Sequence, residues 1–482
     1  MEESGWTPAR MWLQSATMSE ALDLLKEIAA QQSGFVELRY HAKTSRSVGV
    51  DKGKVERSQA RHRKGVGVRV FENGGWGFAS TGLLDAESIR RAITAARAGA
   101  LASASRSRHD FVTLPSCQLA RGVFDQPGLA DMNRRSLEEK IELALGLEAR
   151  VRGASSSIRS ASCAYNEIFE EKAIVTTDGA AAAFRLVRPE LRVSAVAEKD
   201  GQLSTGNEAV GATGGWDCLF HSATGEALAE RAAKMAQDLL SAKNADGGRA
   251  TVILAPSIVG LLVHEAIGHT VEADFVQAGS VAAGKIGQRV ASDLVTLCDS
   301  GASEYYDGAG GTVPVDDEGV IAGKTTIIRD GMLVSYLHNR ETAARYGVEP
   351  TGNARAWEYS DQPLIRMRNT YLAPGTRSLD EIVADTKDGY ILEGPRNGQA
   401  DATGEFMFGV QEAWRIRDGK KTELLRGVTL SGIAFDVLES VDAVSRYFRW
   451  DLGAGYCGKG QPAKVDAGGP YLRCRALLGG EQ

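Results

Sequence analysis

The stretch Gly65-Val-Gly-Val-Arg-Val-Phe-Glu-Asn-Gly-Gly-Trp-Gly-Phe78 decides how the chain is built. Val66, Val68 and Val70 alternate with Gly65, Gly67 and Arg69, the period-two pattern of a strand. Asn73-Gly74 then supplies the residue pair that a tight hairpin turn favours. Working outward, residues 35–41 alternate in the same way and Asp51-Lys-Gly53 signals another hairpin, so these strands are antiparallel. A helix is expected over about 19–31, and another from the N-cap Asp85, with Ile89, Ile93, Ala96 and Ala100 at helical spacing. The capping box Ser136-Leu-Glu-Glu139 opens a third, with Leu137, Ile141, Leu145 and Ala149 on one face. Strands return over about 157–204, with turns at Asp178-Gly179 and Asp200-Gly201, and a helix follows over 225–241.

The polar, glycine-containing stretch 242–248 marks a boundary between two domains, 1–243 and 244–482. Beyond it the sequence predicts a strand over 250–254, a helix after Ser257, and hairpins at Asp330-Gly331 and Asp418-Gly419. Further helices are expected from the capping box Ser378-Leu-Asp-Glu381 and over 435–447, before a glycine-rich tail at 453–460. Hairpins dominate and helices are interspersed, so the class is α+β, a two-domain chain with mixed or antiparallel sheets and flanking helices, not a doubly wound parallel sheet.

Composition narrows the function. The 482 residues carry 56 Lys+Arg against 62 Asp+Glu, a net charge of −6, which argues against a grip on nucleic acid or on an anionic membrane. The longest apolar run, 251–263, is broken by Pro256 and Gly260 and is shorter than the roughly 18–20 residues a membrane helix needs. The N-terminus opens acidic and lacks a signal-peptide pattern, and Met18 offers an alternative start. Six scattered cysteines form no CxxC pair, which fits a reducing compartment. A cytoplasmic protein is therefore expected.

Histidine is scarce, with seven in the chain, yet His264 and His269 fall on one predicted helix with Glu265 between them. The zinc-protease pattern HExxH spaces its histidines by four, which puts both on one helix face. A spacing of five turns the rings ~140° apart on a regular helix. A local π-type turn takes up one extra residue and brings them to one side, and Gly268 eases that distortion. From spacing alone two readings stand, a metal site on a distorted helix or a pair of hydrogen-bonded core histidines. Cys457, between Gly455 and Gly458, is a plausible third ligand, since a thiolate binds Zn²⁺ strongly.

His264-Glu-Ala-Ile-Gly-His269, with Glu272-Ala-Asp-Phe275 after it, resembles the HExxxH signature of the TldD/PmbA metallopeptidases. The resemblance continues in order through Val315-Asp-Asp-Glu-Gly319, Pro350-Thr-Gly-Asn353, Asn369-Thr-Tyr371, Gly398-Gln-Ala-Asp401 and Gly455-Tyr-Cys-Gly-Lys459. It is looser in the first half, where Gly65-Val-Gly-Val-Arg69 and Gly75-Trp-Gly-Phe78 carry it. It implies that His264, His269 and Cys457 bind one divalent metal per chain, usually zinc, with iron open because His and Cys accept both. It also implies that Glu265 is the general base that takes a proton from water at the metal and passes it to the leaving amine. Members of the family act on small or unfolded polypeptides, and catalytically silent relatives called PmbA or TldE lack the motif and pair with the active chain. This chain keeps the motif, so an active subunit is expected, in a homodimer or with a silent paralogue.

Other residues are candidates of lesser weight. Arg355, Arg366 and Arg368 flank the Thr-Gly-Asn and Asn-Thr-Tyr segments and could hold a peptide carboxylate or backbone. Against that stands the ordinary solvated or structural arginine. His338 could orient an oxyanion or simply lie at the surface. Glu272 and Asp274 could orient a ligand histidine. Val410 and Gln411 could border a strand edge open to peptide addition, an internal strand being the commoner case. Two other functions remain open, hydrolysis of a different amide by the same centre, and a silent scaffold, which an intact Glu265 disfavours.

Overall fold

The computed structural model describes residues 18–105, 111, 113–125 and 135–480. The stretch before the alternative start Met18 lies outside the described residues. The chain opens with α1 (Met18–Ala29), β1 (Phe35–Asp51), β2 (Lys54–Glu72) and β3 (Gly75–Thr81). Next come α2 (Ala86–Ala104), β4 (Arg121–Asp125) and α3 (Leu137–Arg152). β5 (Ile158–Thr176), β6 (Ala181–Lys199), β7 (Gln202–Gly211) and α4 (Gly225–Leu240) follow.

The seven strands form one sheet in the order β3-β2-β1-β5-β6-β4, with β7 also on β6. All its pairs but β4 with β6 are antiparallel. The hairpins fall where Asn73-Gly74, Asp51-Lys-Gly53 and Asp200-Gly201 predict them. Lys52, Asn73 and Asp200 adopt φ of 50°, 53° and 53°, each followed by a glycine with positive φ, the mirror-image turn that suits twisted strands. α2 packs on β3 so closely that a Cβ on Gly77 would sit 1.8 Å from the Ala96 carbonyl oxygen.

β1 is buried on both faces. Val36, Leu38, Tyr40 and Ala42 meet α1 and α2 in an apolar core, while Glu37, Arg39, His41 and Lys43 point the other way and are buried too. That charged face lies against the second half of the chain. Lys172 of β5 bonds both Asp317 oxygens, Arg69 pairs with Glu37 and Glu318, and Lys43 donates to the Trp357 carbonyl. His41 faces Glu170 at 3.0 Å. Burial and the Lys172 charge hold the His41 imidazole down at about 4, against the pull of Glu170, so it is neutral.

α3 corrects the expected face. Leu137 is exposed, and the buried residues are Lys140, Ala144, Leu147, Glu148 and Val151. Lys140 turns inward because Glu167 and the Glu167-bonded Tyr165 await it, with Nζ to Oε2 at 2.7 Å. The inward ion pair rotates the buried face, while Ile141 and Leu145 of the expected face still pack half-buried against the core.

The second sheet has twelve strands among the described residues. Its long strand Asp466–Gly479 runs antiparallel to Gly248–Leu254 and parallel to Asn369–Leu372. Asp388–Ala400 lies parallel to Gly248–Leu254 and antiparallel to Glu405–Arg417. The latter is an internal strand, paired on its other side with Lys420–Arg426 and Thr429–Ile433; between those two ladders the Val410 N–H donates to the Val428 carbonyl and the Gln411 side chain bonds the Asn207 backbone. The helix expected over 435–447 ends at Glu439, and Ala443–Trp450 is a strand on the C-terminal one. Tyr447, Phe448 and Trp450 are ring-bearing residues that suit a pleated surface, and the Phe448 and Trp450 rings pack edge-on at 5.0 Å. No described helix is long and apolar enough to cross a membrane.

Candidate metal centre

Gly248–Leu254 feeds a helix, Pro256–Leu261, which Pro256 starts at its first turn, where no N–H is needed. From Leu262 to Gly268 the helix widens to π geometry, and the His269 N–H donates to the His264 carbonyl five residues back. This is the distortion that the five-residue spacing predicts. Gly268 makes it possible sterically, because a Cβ there would lie 1.9 Å from Met367 Sδ.

The extra residue brings both imidazoles to one side, with ring centroids 5.4 Å apart. Cys457 arrives from a hairpin, Tyr456–Gly458 paired with Pro462–Lys464, and its Sγ stands 3.0 Å from His269 Nε2. One donor atom from each of His264, His269 and Cys457 lies within 4.8 Å of the others. His264 is buried, and neither ring nitrogen has a hydrogen-bond partner. A buried imidazole without a partner is costly. A cation among the three donors would relieve it, and two imidazoles with a thiolate are a good donor set for zinc. The residues therefore fit a metal.

Charge tells the same story. Burial alone would push the Cys457 thiol up, but the charges of His264 and His269, with the His269 hydrogen bond, hold it down at about 5. Burial pulls His269 down, and Cys457 and Glu272 outweigh it to bring it up to about 10. His264 is likewise raised, chiefly by Cys457 against its burial. Without a cation the cluster is thus a thiolate beside an imidazolium, and a metal that takes up the thiolate must release the His269 Nε2 proton.

Behind the donors, His269 Nδ1 donates to Glu272 Oε2 at 3.4 Å, which turns Nε2 toward Cys457. Glu272 is completely buried and is met by Lys459 Nζ at 2.8 Å, which also reaches Asp274 at 2.7 Å. Glu265 is more open than either histidine, with its side chain 31% exposed and Oε2 at 3.7 Å from His269 Nε2. It therefore faces the donors and solvent together.

The arginines and His338 are all buried. Arg366 donates to the carbonyls of Cys457 and Gln461 at 2.6 and 2.7 Å, so its guanidinium ties down the ligand hairpin. Arg368 pairs with Asp299, both completely buried. Arg355 donates to the Met367 carbonyl at 2.8 Å and makes no ion pair among the described residues. Its burial, with the Arg188 and Arg366 charges, lowers it to about 9. His338 is no surface residue: it meets Thr342 Oγ1 at 3.1 Å, packs against Tyr336 and Tyr346, and burial holds it down at about 4. Sequence reasoning gave no role to Lys459, and for Arg366 it suggested a peptide contact, not the hairpin carbonyls it holds. The signal for Lys459 was the Gly455-to-Lys459 motif itself, two residues past the cysteine.

Two sheets with helices, and a π-turn that gathers two histidines and a distant cysteine, define the class: an α+β protein with a three-donor site between secondary elements far apart in sequence. The chain belongs to the PmbA/TldD metallopeptidase family. Its models match in order, as the PmbA/TldA metallopeptidase domain 1 over residues 36–100, the central domain over 131–240 and the C-terminal domain over 247–478. A metalloprotease of Methanocaldococcus jannaschii is 35% identical over 447 residues, 92% of this chain and 96% of that protein. A zinc metalloprotease TldD homolog of Saccharolobus solfataricus is 29% identical, covering 94% of this chain and 98% of its own. The fold is that of TldE from Thermococcus kodakarensis, with a TM-score of 0.77 at 17% identity over 95% of this chain and 99% of that one.

Proposed function

We propose that the chain is a metal-dependent peptidase of small or unfolded polypeptides, with one zinc ion held by His264, His269 and Cys457. The observation that carries this reading is the meeting of three donor atoms within 4.8 Å, 188 residues apart in the case of His269 and Cys457, around an imidazole with no other partner. The metalloprotease names of the relatives support it, and the zinc named for the Saccharolobus protein supports the choice of metal. When bound, the metal supplies Lewis acidity to the scissile carbonyl and to water. Glu265 takes the proton of the attacking water and returns it to the leaving amine, which its place beside the donors and its exposure suit. Glu272 keeps His269 in the tautomer that presents Nε2.

Arg355, free of any ion pair among the described residues, is the residue we assign to a peptide carboxylate or backbone carbonyl. Arg366 and His338 are committed to the protein's own groups. The first half, 1–243, restricts entry to flexible chains over the metal domain, 244–482. The partner is a second copy or a silent paralogue. The compartment is the cytoplasm.

Metal analysis of protein purified without chelator tests the site. About one zinc per chain in the wild type and none in Cys457→Ala is expected, with Glu265→Gln keeping the metal and losing peptide hydrolysis. Equal zinc in the wild type and Cys457→Ala would remove the cysteine from the centre, and hydrolysis that survives Glu265→Gln would remove the base.

A further inference from the structure

Cys457 reaches the histidines on a hairpin of only three residues a side, with Gly455, Gly458 and Gly460 in and around it. A two-stranded hairpin of that size has little stability of its own, and glycines add conformational freedom. Its position must come from its anchors. From the second half, Arg366 holds the Cys457 carbonyl and Lys459 holds Glu272. Gln461, in the turn of the hairpin, also accepts from the Trp357 N–H and donates to the Gln362 carbonyl, and further anchors come from the first sheet.

Glu190, in β6, is 1% exposed and accepts hydrogen bonds from both strands of the hairpin, from the Tyr456 hydroxyl and from Lys464 Nζ. Tyr456 directly precedes the cysteine, and Lys464 is 1% exposed with Glu190 as its ion-pair partner. Two residues along the same face of β6, Arg192 donates to the Ala454 carbonyl. Gly211, paired with Glu190 across the sheet, approaches Gly453 so closely that a Cβ on it would lie 2.2 Å from the Gly453 oxygen.

We propose that Glu190 is a positioning residue of the metal centre, fixing where Cys457 Sγ stands relative to His264 and His269, so that the first sheet sets the affinity of the site for its cation. This rests on the metal reading above. Bonds to both strands restrain the hairpin's rotation as well as its distance, and a thiolate–zinc contact of about 2.3 Å leaves little room for error. The carboxylate's partners in the hairpin are not themselves metal donors. It acts through Tyr456 and Lys464.

The test compares wild type with Tyr456→Phe, which deletes one bond and leaves Lys464 paired, and with Glu190→Gln. Zinc affinity is read by competition with a chromophoric chelator, and the thiolate charge-transfer band is read in the cobalt-loaded protein. Affinity should fall about 10- to 100-fold in Glu190→Gln and by less in Tyr456→Phe, as for other residues that orient a ligand, with a shifted cobalt band. A role limited to stapling the two halves would lower the melting temperature of the metal-free protein and leave both readouts alone. Affinity within about 2-fold of wild type and an unchanged band in the folded variants would overturn the proposal. Should Glu190→Gln not fold, Tyr456→Phe decides alone. A wild type that takes up neither zinc nor cobalt would instead overturn the metal reading itself.

Discussion

Lys459→Met should weaken both the fold and the site, by amounts that follow from its contacts. Lys459 Nζ sits 2.8 Å from Glu272, 2.7 Å from Asp274, 3.1 Å from the Ile365 carbonyl and 4.3 Å from the centroid of the Phe275 ring. Glu272 is fully buried and its Oε1 has no hydrogen-bond partner, so removing the ammonium leaves a carboxylate supported by His269 alone. Breaking a buried pair from one side costs about 3–5 kcal/mol. Asp274 is 39% exposed and gains solvent in return, which puts the expectation near the lower end, about 3 kcal/mol. Metal-free protein unfolded in guanidinium chloride reads this loss as a lower midpoint at constant slope. With Glu272 no longer held from behind, His269 turns more freely, and zinc affinity should drop about 10- to 100-fold. The double variant Lys459→Met/Glu272→Gln removes the stranded charge, so most of the stability should return while the affinity stays low. A loss under about 1 kcal/mol with zinc affinity within about 2-fold would refute the argument that Glu272 depends on Lys459.

Two further outcomes follow from packing and burial. Gly268→Ala should cost about 1–3 kcal/mol, because its Cβ would meet Met367 Sδ at 1.9 Å inside the core, and it should lower zinc occupancy as the π-turn shifts; a melting temperature equal to wild type would mean that Met367 moves aside freely. His338 is held at about 4 against an ordinary 6.5, so the unfolded chain binds a proton there between those pH values that the folded chain refuses. Its contribution is complete above pH 6.5 and is lost as pH falls toward 4, up to about 3 kcal/mol at about 1.4 kcal/mol per pH unit, and melts of His338→Gln should show a flatter dependence than wild type over that window.

How much of this was readable beforehand depended on how local the cause was. The hairpins at Asn73-Gly74 and Asp51-Lys-Gly53 are set by backbone preference within four residues, and they fall where the sequence puts them. The π-turn was legible for the same reason: two histidines five apart reach one cation only if the helix takes up an extra residue. Misreadings occurred where a distant partner decides. Lys140 turns inward because Glu167 is there, and Ala443–Trp450 is a strand because Asp466–Gly479 runs beside it. Neither partner leaves a mark in the local pattern.

β1 carries this furthest. By alternation alone Glu37, Arg39, His41 and Lys43 make a solvated face, yet Asp317, Glu318 and the 354–361 segment bury it. An apolar interface would tolerate sliding, since the hydrophobic effect has no direction, whereas each buried charge here is costly unless it meets one particular counterpart. A one-residue slip of β1 would strand Arg39 away from Asp317 and Lys43 away from Glu358 together. The same sheet, through Glu190 and Arg192, holds the hairpin that carries Cys457. A site whose third donor must stand within a few tenths of an ångström of its place therefore hangs from an interface with one favourable register. That accounts for why so many ionisable groups are buried in a half of the chain that contributes no donor of its own.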